Sequence, residues 1–262
     1  MEGASGVIAL VLAETAAGSA AVLWLTGLWG NVKRGFFILT TATVLACALL
    51  AALSANAGAT EAGSGGARLV VVLALALSAL SGLTLIALIL RRMAAGRVLG
   101  LVSIPVGAAL LVAMASVAEA GMAMALVGLF AGAAFMGAVT VGLLLGHWYL
   151  VDRGLARDHI QRMAVVLIGA VLVEAVAVII AAVAGEVTPT EGFGLFLTVG
   201  GAAFHLAIVL GMVAITALIA FLIRAALRET RPRAVQAATG FFYLAVITAF
   251  TAELAAKVRF LD

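Results

Sequence analysis

Long apolar segments separated by short polar connections run along the whole chain. A membrane-spanning helix needs about 20 predominantly apolar residues, and eight segments reach roughly that length. They cover residues 5–29, 36–57, 68–90, 98–117, 122–150, 163–184, 195–226 and 237–257. The pattern therefore predicts an all-α polytopic membrane protein with eight transmembrane helices and no separate soluble domain.

The second half of the chain repeats features of the first half in the same order. Five residues late in the first predicted span recur in register late in the fifth: Gly18, Val22, Leu25, Gly27 and Trp29 match Gly137, Val141, Leu144, Gly146 and Trp148. The pair Ala118-Glu119 recurs further on as Ala252-Glu253. These matches predict two tandem four-helix units, residues 1–121 and 122–262. Because each unit has an even number of spans, we expect a pseudo-twofold axis along the membrane normal.

The composition identifies the surroundings of the chain as lipid. With 66% apolar residues, 10% charged residues and a mean hydropathy of +1.29, the chain has more apolar surface than a soluble core could bury. Twelve of the fifteen Lys and Arg residues lie at the connections after spans 1, 3, 5 and 7, whereas the opposite side holds Arg68, Lys257 and Arg259. The positive-inside rule therefore predicts that both termini are outside. The basic residues are spread over short loops and form no patch with aromatic partners, so they do not indicate nucleic-acid binding.

Three ionisable residues fall at hydrocarbon depth, where a carboxylate costs at least about 2.5 kcal/mol. They are Glu14 in span 1, Glu174 in span 6 and His205 in span 7. We expect each to face the bundle interior, where they can share one polar cavity in the outer half of the bilayer and bind a quinone head group or protons. Buried, hydrogen-bonded groups without chemistry are the alternative. Glu119 and Glu253 end spans 4 and 8 and could line the mouth of the cavity, or be solvated helix ends.

A second cluster, formed by His147, Trp148 and Tyr149, ends span 5 at the predicted inner face. Trp and Tyr at this depth are typical interfacial anchors. His147 replaces Leu28 of the first copy, so the second half has a polar group that the repeat itself does not require. We predict an inner-face interface at these three residues.

The sequence argues against haem b and a metal site. His147 and His205 differ in depth by about 20 Å at 1.5 Å of rise per residue, too far for one iron. A haem held by one histidine and a methionine stays open. Glu14, Glu174 and His205 lack the spacing of a local metal-binding motif, and the single cysteine, Cys47, forms no thiolate site. No catalytic residue is identified, since no serine lies in a nucleophile-elbow pattern.

The layout of two four-helix units with acidic and histidine residues toward the outer half resembles the membrane subunits of bacterial quinol-dependent respiratory complexes. The NrfD or polysulfide-reductase type is the most similar in layout. The string Gly-His-Trp-Tyr-Leu at residues 146–150, followed by a basic loop, is also similar to uncharacterised eight-span bacterial membrane proteins. The resemblance implies a bacterial inner-membrane subunit, either quinone-binding or non-catalytic, with other membrane or peripheral subunits as partners.

Two other functions stay open, namely a transporter of a small solute, ion or proton, and a structural or assembly subunit. In a transporter of duplicated halves, Glu174 would bind the ion or proton near the midplane. Spans broken by Gly or Pro at matching positions of both halves would favour transport. Span 4 contains Pro105, but its counterpart, span 8, contains no proline. The pattern therefore favours the respiratory subunit.

Overall fold

The computed structural model describes residues 3–30, 32–62, 65–118, 121–152, 155–184, 201–229 and 233–257. Within these residues the chain forms eight long α-helices, one 3-10 turn and no strand. The helices are α1 (Gly3–Thr26), α2 (Arg34–Ala62), α3 (Gly65–Ile89), α4 (Met93–Ser116), α5 (Met122–Val151), α6 (Asp158–Val183), α7 (Gly201–Ala226) and α8 (Arg233–Lys257), and the 3-10 turn is Gly27–Trp29. The prediction of an all-α fold with eight spanning helices is confirmed.

Several helices extend beyond the apolar segments from which they were predicted. The helices α4, α6 and α8 begin at Met93, Asp158 and Arg233, four or five residues before the predicted spans. These extra residues lie at the basic end of the bundle, where the charged side chains of Arg97, Arg162 and Arg233 are exposed while the backbone continues its helical hydrogen bonds. Hydropathy therefore marks the apolar segment and not the end of the helix. Residues 195–200 of predicted span 7 lie outside the described residues.

Several hydroxyl groups inside the helices are satisfied within their own helix. In α3, the hydroxyl groups of Ser78, Ser81 and Thr84 each donate a hydrogen bond of 2.7 or 2.8 Å to the carbonyl oxygen four residues earlier. Lipid offers no water to satisfy a hydroxyl or a backbone group, so such bonds let these residues stay in a spanning helix. The outer faces of the helices carry exposed apolar side chains, among them Leu172, Leu218 and Ile247. The chain is a multi-pass membrane protein whose outer surface suits lipid.

The helices form two groups of four with the same order of neighbours. Each of α1 to α4 packs against the next, and α4 returns to α1. The helices α5 to α8 repeat this order, and α8 returns to α5. The two groups meet mainly along α1 and α5. This order is the one expected for a repeat, while superposition of residues 1–121 on residues 122–262 stays a prediction.

Residues that correspond in the sequence repeat meet where the two groups join. A Cβ atom on Gly18 of α1 would overlap the backbone carbonyl of Ala133, and a Cβ atom on Gly137 of α5 would overlap the backbone of Gly18. Only residues without side chains allow two helix backbones to approach this closely. Gly18 and Gly137 are matched positions, so the contact between the groups is reciprocal at this point.

The matched tryptophans also make reciprocal contacts. The Trp29 indole stacks on the His159 imidazole, with ring centroids 6.4 Å apart and planes 6° from parallel. The Trp148 indole packs on Gly35, where a Cβ atom would overlap its ring. His159 and Gly35 are the second residues of α6 and α2. Each tryptophan therefore reaches the first turn of a helix in the other group.

Candidate functional site

A buried lysine joins the first helix of the chain to the last. Lys257 is the final residue of α8, and its ammonium nitrogen lies 2.8 Å from Oε1 of Glu14 on α1. The same nitrogen lies 3.2 Å from Oε2 of Glu253, one turn earlier on α8, and donates a hydrogen bond of 3.2 Å to the backbone oxygen of Gly128 on α5. Glu14 and Glu253 are 0% exposed and Lys257 is 1% exposed. These three charged groups are therefore fully enclosed by the bundle.

A glycine on α5 makes room for the two carboxylates. A Cβ atom on Gly132 would lie 2.7 Å from Oε1 of Glu14 and 2.9 Å from Oε2 of Glu253. Gly128, which supplies the carbonyl oxygen for Lys257, lies one turn away on the same face of α5. Glu14 of α1 therefore meets Glu253 and Lys257 of α8 over Gly128 and Gly132, which leave this face of α5 without side chains.

Glu174 of α6 and His205 of α7 line a small cavity beside Lys257. Both side chains are buried. The cavity has a volume of about 20 Å³, enough for about one water molecule. Its remaining lining residues are Gly128, Ala177, Val178, Val209 and Ala256. Lys257 lines this cavity and also contacts Glu14 and Glu253, so the cavity and the ion pairs form one connected group.

We refer to Glu14, Glu174, His205, Glu253 and Lys257 as the buried cluster. The structure places the three residues expected at hydrocarbon depth in this cluster: Glu14 contacts Lys257, and Glu174 and His205 share a cavity with it. Glu253, predicted at the mouth of a cavity, lies inside the bundle in contact with Lys257. Glu119 lies outside the described residues.

The cluster depends on a residue that sequence reasoning places elsewhere. The sequence pattern assigns Lys257 to the outer side of the membrane, because a lysine at the end of an apolar segment usually extends its ammonium group to the interface. In the structure its side chain is buried against Glu14. The available signal is the spacing of Glu253 and Lys257, which puts opposite charges on one face of α8. That spacing does not reveal whether the face points toward lipid, water or the bundle.

The residues predicted as an inner-face interface have three different surroundings. His147 is exposed, the Trp148 indole packs on Gly35, and the buried Tyr149 hydroxyl donates a hydrogen bond to the backbone oxygen of Ala156. His147 lies in the last turns of α5, at the basic end of the bundle, whereas His205 lies in the first turns of α7, at the opposite end. The structure does not bring these two imidazoles together.

The chemistry of the buried cluster is acid and base chemistry. Three carboxyl groups, one ammonium group and one imidazole are buried within the contacts described above. Burying an ionised group costs free energy unless an opposite charge or a hydrogen bond compensates it. The one ammonium group lies against two of the three carboxyl groups. In the part of the chain that the structure describes, no three His, Cys, Asp or Glu side chains lie close enough together to hold a metal ion.

Comparisons of the chain with known protein families, with curated proteins and with solved structures found no match. The class of the protein is therefore defined by its own fold and site. It is a multi-pass α-helical membrane protein with a buried charged cluster to which α1, α6, α7 and α8 contribute side chains.

Proposed function

We propose that this chain transfers protons within the membrane and that the buried cluster binds and releases them. The observation that carries the proposal is the position of Lys257, whose ammonium nitrogen lies 2.8 Å from the carboxylate of Glu14 and 3.2 Å from that of Glu253. Ionisable groups at membrane depth are costly and are typical of proton relays and ion pathways. This lysine lies against two acids, so one positive charge is shared between two carboxyl groups.

The balance of charges supports proton binding. If Glu14, Glu174 and Glu253 were all ionised, Lys257 would compensate only one of them, and a charged His205 would compensate a second. A proton on one carboxyl group removes the remaining excess at a lower cost than leaving a buried charge uncompensated. Gaining or losing that proton changes which carboxylate pairs best with Lys257, which gives the cluster at least two states.

The cavity beside Lys257 offers a relay for the proton. Glu174 and His205 line it together with the lysine, and carboxyl and imidazole groups exchange protons readily. A single water molecule in the cavity would extend the hydrogen-bonded path among these groups. The volume of about 20 Å³ is too small for a quinone head group, which is why we favour proton transfer over quinone binding at this position.

In a second candidate function, the buried cluster still binds protons and the chain also binds a quinone, as the resemblance to quinol-dependent respiratory subunits implies. An apolar groove of about 290 Å³ lies between α1, α4 and α5. Ala17, Ala108, Phe130 and Ala134 are among its lining residues, and Ala17 is one helical turn from Glu14. Walls of this kind suit an apolar ring and tail. In this form the chain would be a subunit of a larger redox complex whose partners supply the electrons.

Proton flux through the full-length protein in liposomes tests the first proposal. A potassium gradient with valinomycin drives protons, and an enclosed pH dye reports them. We expect Glu14→Gln to lower the flux on the order of a hundredfold, because it removes a proton-transfer group. Glu229→Gln is the matched control, since Glu229 is exposed, and should leave the flux unchanged. Wild-type flux no faster than in protein-free liposomes, or equal fluxes for wild type and Glu14→Gln, would contradict the proposal.

Photolabelling with an azido-quinone tests the second candidate. Label on α1, α4 or α5 that excess quinone competes away would support it, and Ala134→Phe, which fills the groove, should abolish that label. Leu172→Phe changes an exposed position on α6 and serves as the control. Label that quinone does not compete away, or that survives Ala134→Phe, would show that the groove holds no quinone. An Ala134→Phe variant that loses the quinone label but keeps the wild-type proton flux would separate quinone binding in the groove from proton transfer by the buried cluster.

A further inference from the structure

A larger cavity lies at the basic end of the first four-helix group, away from the buried cluster. Its volume is about 430 Å³, within the range of small-molecule sites. The walls come from the end of α1, the 3-10 turn and the connection that follow it, and the first turns of α2 and α4: Trp24, Thr26, Gly27, Gly30, Val32, Phe37, Met93, Ala94 and Arg97. The cavity therefore lies where the membrane-spanning segments end and lipid headgroups begin.

Arg97 provides this cavity with a fixed positive charge. Its Nη2 donates a hydrogen bond of 3.1 Å to the backbone oxygen of Gly27, which holds the guanidinium group at the wall. A guanidinium group has five N–H donors, so this single bond leaves donors for an anion. No acidic side chain is among the described residues that line the cavity. Arg91 and Arg92, exposed on the turn before Met93, add to the positive charge nearby.

The rest of the wall is apolar and partly aromatic. The rings of Trp24 and Phe37 lie with centroids 5.5 Å apart, and Met93 and Val32 extend the apolar surface. The Trp24 indole packs on Gly100 of α4, where a Cβ atom would overlap the ring, so the aromatic wall is held in place by helix packing. A small hydrated anion would gain nothing from such a wall. A molecule with a negative head and an apolar body matches both parts of the cavity.

We propose that this cavity binds an anionic phospholipid, with the phosphate at Arg97 and the first part of an acyl chain against Trp24 and Phe37. Basic pockets between transmembrane helices are suited to anionic headgroups, and each Arg or Lys near the surface adds about fivefold in affinity. The planar guanidinium group can bind a phosphate with two parallel hydrogen bonds. A bound lipid would also cover the junction between α1, α2 and α4, the helices that build the cavity.

The test measures which lipids the full-length protein retains. Protein is reconstituted in vesicles of phosphatidylcholine with a minor fraction of phosphatidylglycerol, extracted in mild detergent, and its bound lipids are counted by native mass spectrometry. We expect retention of phosphatidylglycerol in preference to phosphatidylcholine. Arg97→Ala should weaken that retention about fivefold. Arg97→Lys keeps the charge but loses the planar guanidinium group, so we expect a smaller loss of phosphatidylglycerol retention. This variant keeps the proposal testable if Arg97→Ala fails to fold.

Arg228→Ala is the matched control, because Arg228 is an exposed arginine of the basic end outside this cavity. It should retain phosphatidylglycerol as wild type does. Equal losses in Arg97→Ala and Arg228→Ala would show a general effect of surface charge and overturn the proposal. Equal retention of phosphatidylcholine and phosphatidylglycerol by wild type would overturn it as well. Displacement of the lipid by soluble glycerol 3-phosphate would show a site for small anions instead.

Discussion

The ammonium group of Lys257 lies 2.8 Å from the carboxylate of Glu14, so the last residue of α8 is tied to the middle of α1. The helix α1 belongs to the first group of four helices and α8 to the second. The ion pair therefore joins the two groups inside the bundle, where both side chains are buried from the surrounding solvent. Removing the lysine leaves both carboxylates without their positive partner, which makes the contact testable by stability as well as by proton flux.

Lys257→Met should destabilise the protein strongly. Removing the ammonium group leaves Glu14 and Glu253 buried without their positive partner, and breaking a buried ion pair in this way costs about 3–5 kcal/mol. The free energy of unfolding, measured by titration with a denaturing detergent, should fall by that order. Combining Lys257→Met with Glu14→Gln and Glu253→Gln removes the charges together and should recover most of the loss. If Lys257→Met alone is as stable as wild type, the charges of Glu14 and Glu253 are compensated in another way.

Gly132→Ala should disturb the buried cluster directly. The new Cβ atom would lie 2.7 Å from Oε1 of Glu14 and 2.9 Å from Oε2 of Glu253, so the carboxylates must shift away from α5. We expect a loss of about 1–3 kcal/mol in the free energy of unfolding and a lower proton flux. Gly169→Ala on α6 is the control, because nothing lies within 4 Å of its Cβ position. Equal behaviour of the two variants would contradict the placement of the carboxylates against α5.

Gly18→Ala should weaken the contact between the two four-helix groups. Its Cβ atom would overlap the backbone of α5 at Ala133, and a backbone cannot move aside as a flexible side chain can. A loss of about 1–3 kcal/mol is expected in the same detergent titration. Gly211→Ala on α7, with open space around its Cβ position, should cost little. If Gly18→Ala unfolds at the wild-type detergent concentration, α1 and α5 are not in backbone contact.

Cysteine labelling in intact cells tests the predicted orientation. In a Cys47→Ala background, Ala95→Cys places a thiol on an exposed residue of the basic end and Gly65→Cys places one at the first residue of α3, at the opposite end. With both termini outside, an impermeant maleimide should label residue 65 and not residue 95 before lysis. The reverse pattern would show that the basic end faces outward.

The sequence alone predicts the eight helices and the position of three buried ionisable residues. Hydropathy is a local property, because each spanning segment must satisfy its own backbone and face lipid whatever its neighbours are. The same argument selects Glu14, Glu174 and His205, since their place within an apolar segment already shows that they need a compensating partner. Hydropathy does not set the helix ends, since α6 begins at Asp158, where polar residues continue the helix beyond the apolar segment.

Only the tertiary structure decides the inward direction of Lys257 and the burial of Glu253. A lysine at the end of an apolar helix has a long, flexible side chain that can reach water or the bundle interior, and local sequence favours water. Its inward direction depends on Glu14, which is far away in sequence, and on Gly132, whose missing side chain leaves space for the two carboxylates. Such contacts form between separate helices, so no spacing along one helix can reveal them. The sequence thus determines which residues are costly to bury, and the packing of helices determines which partners compensate them.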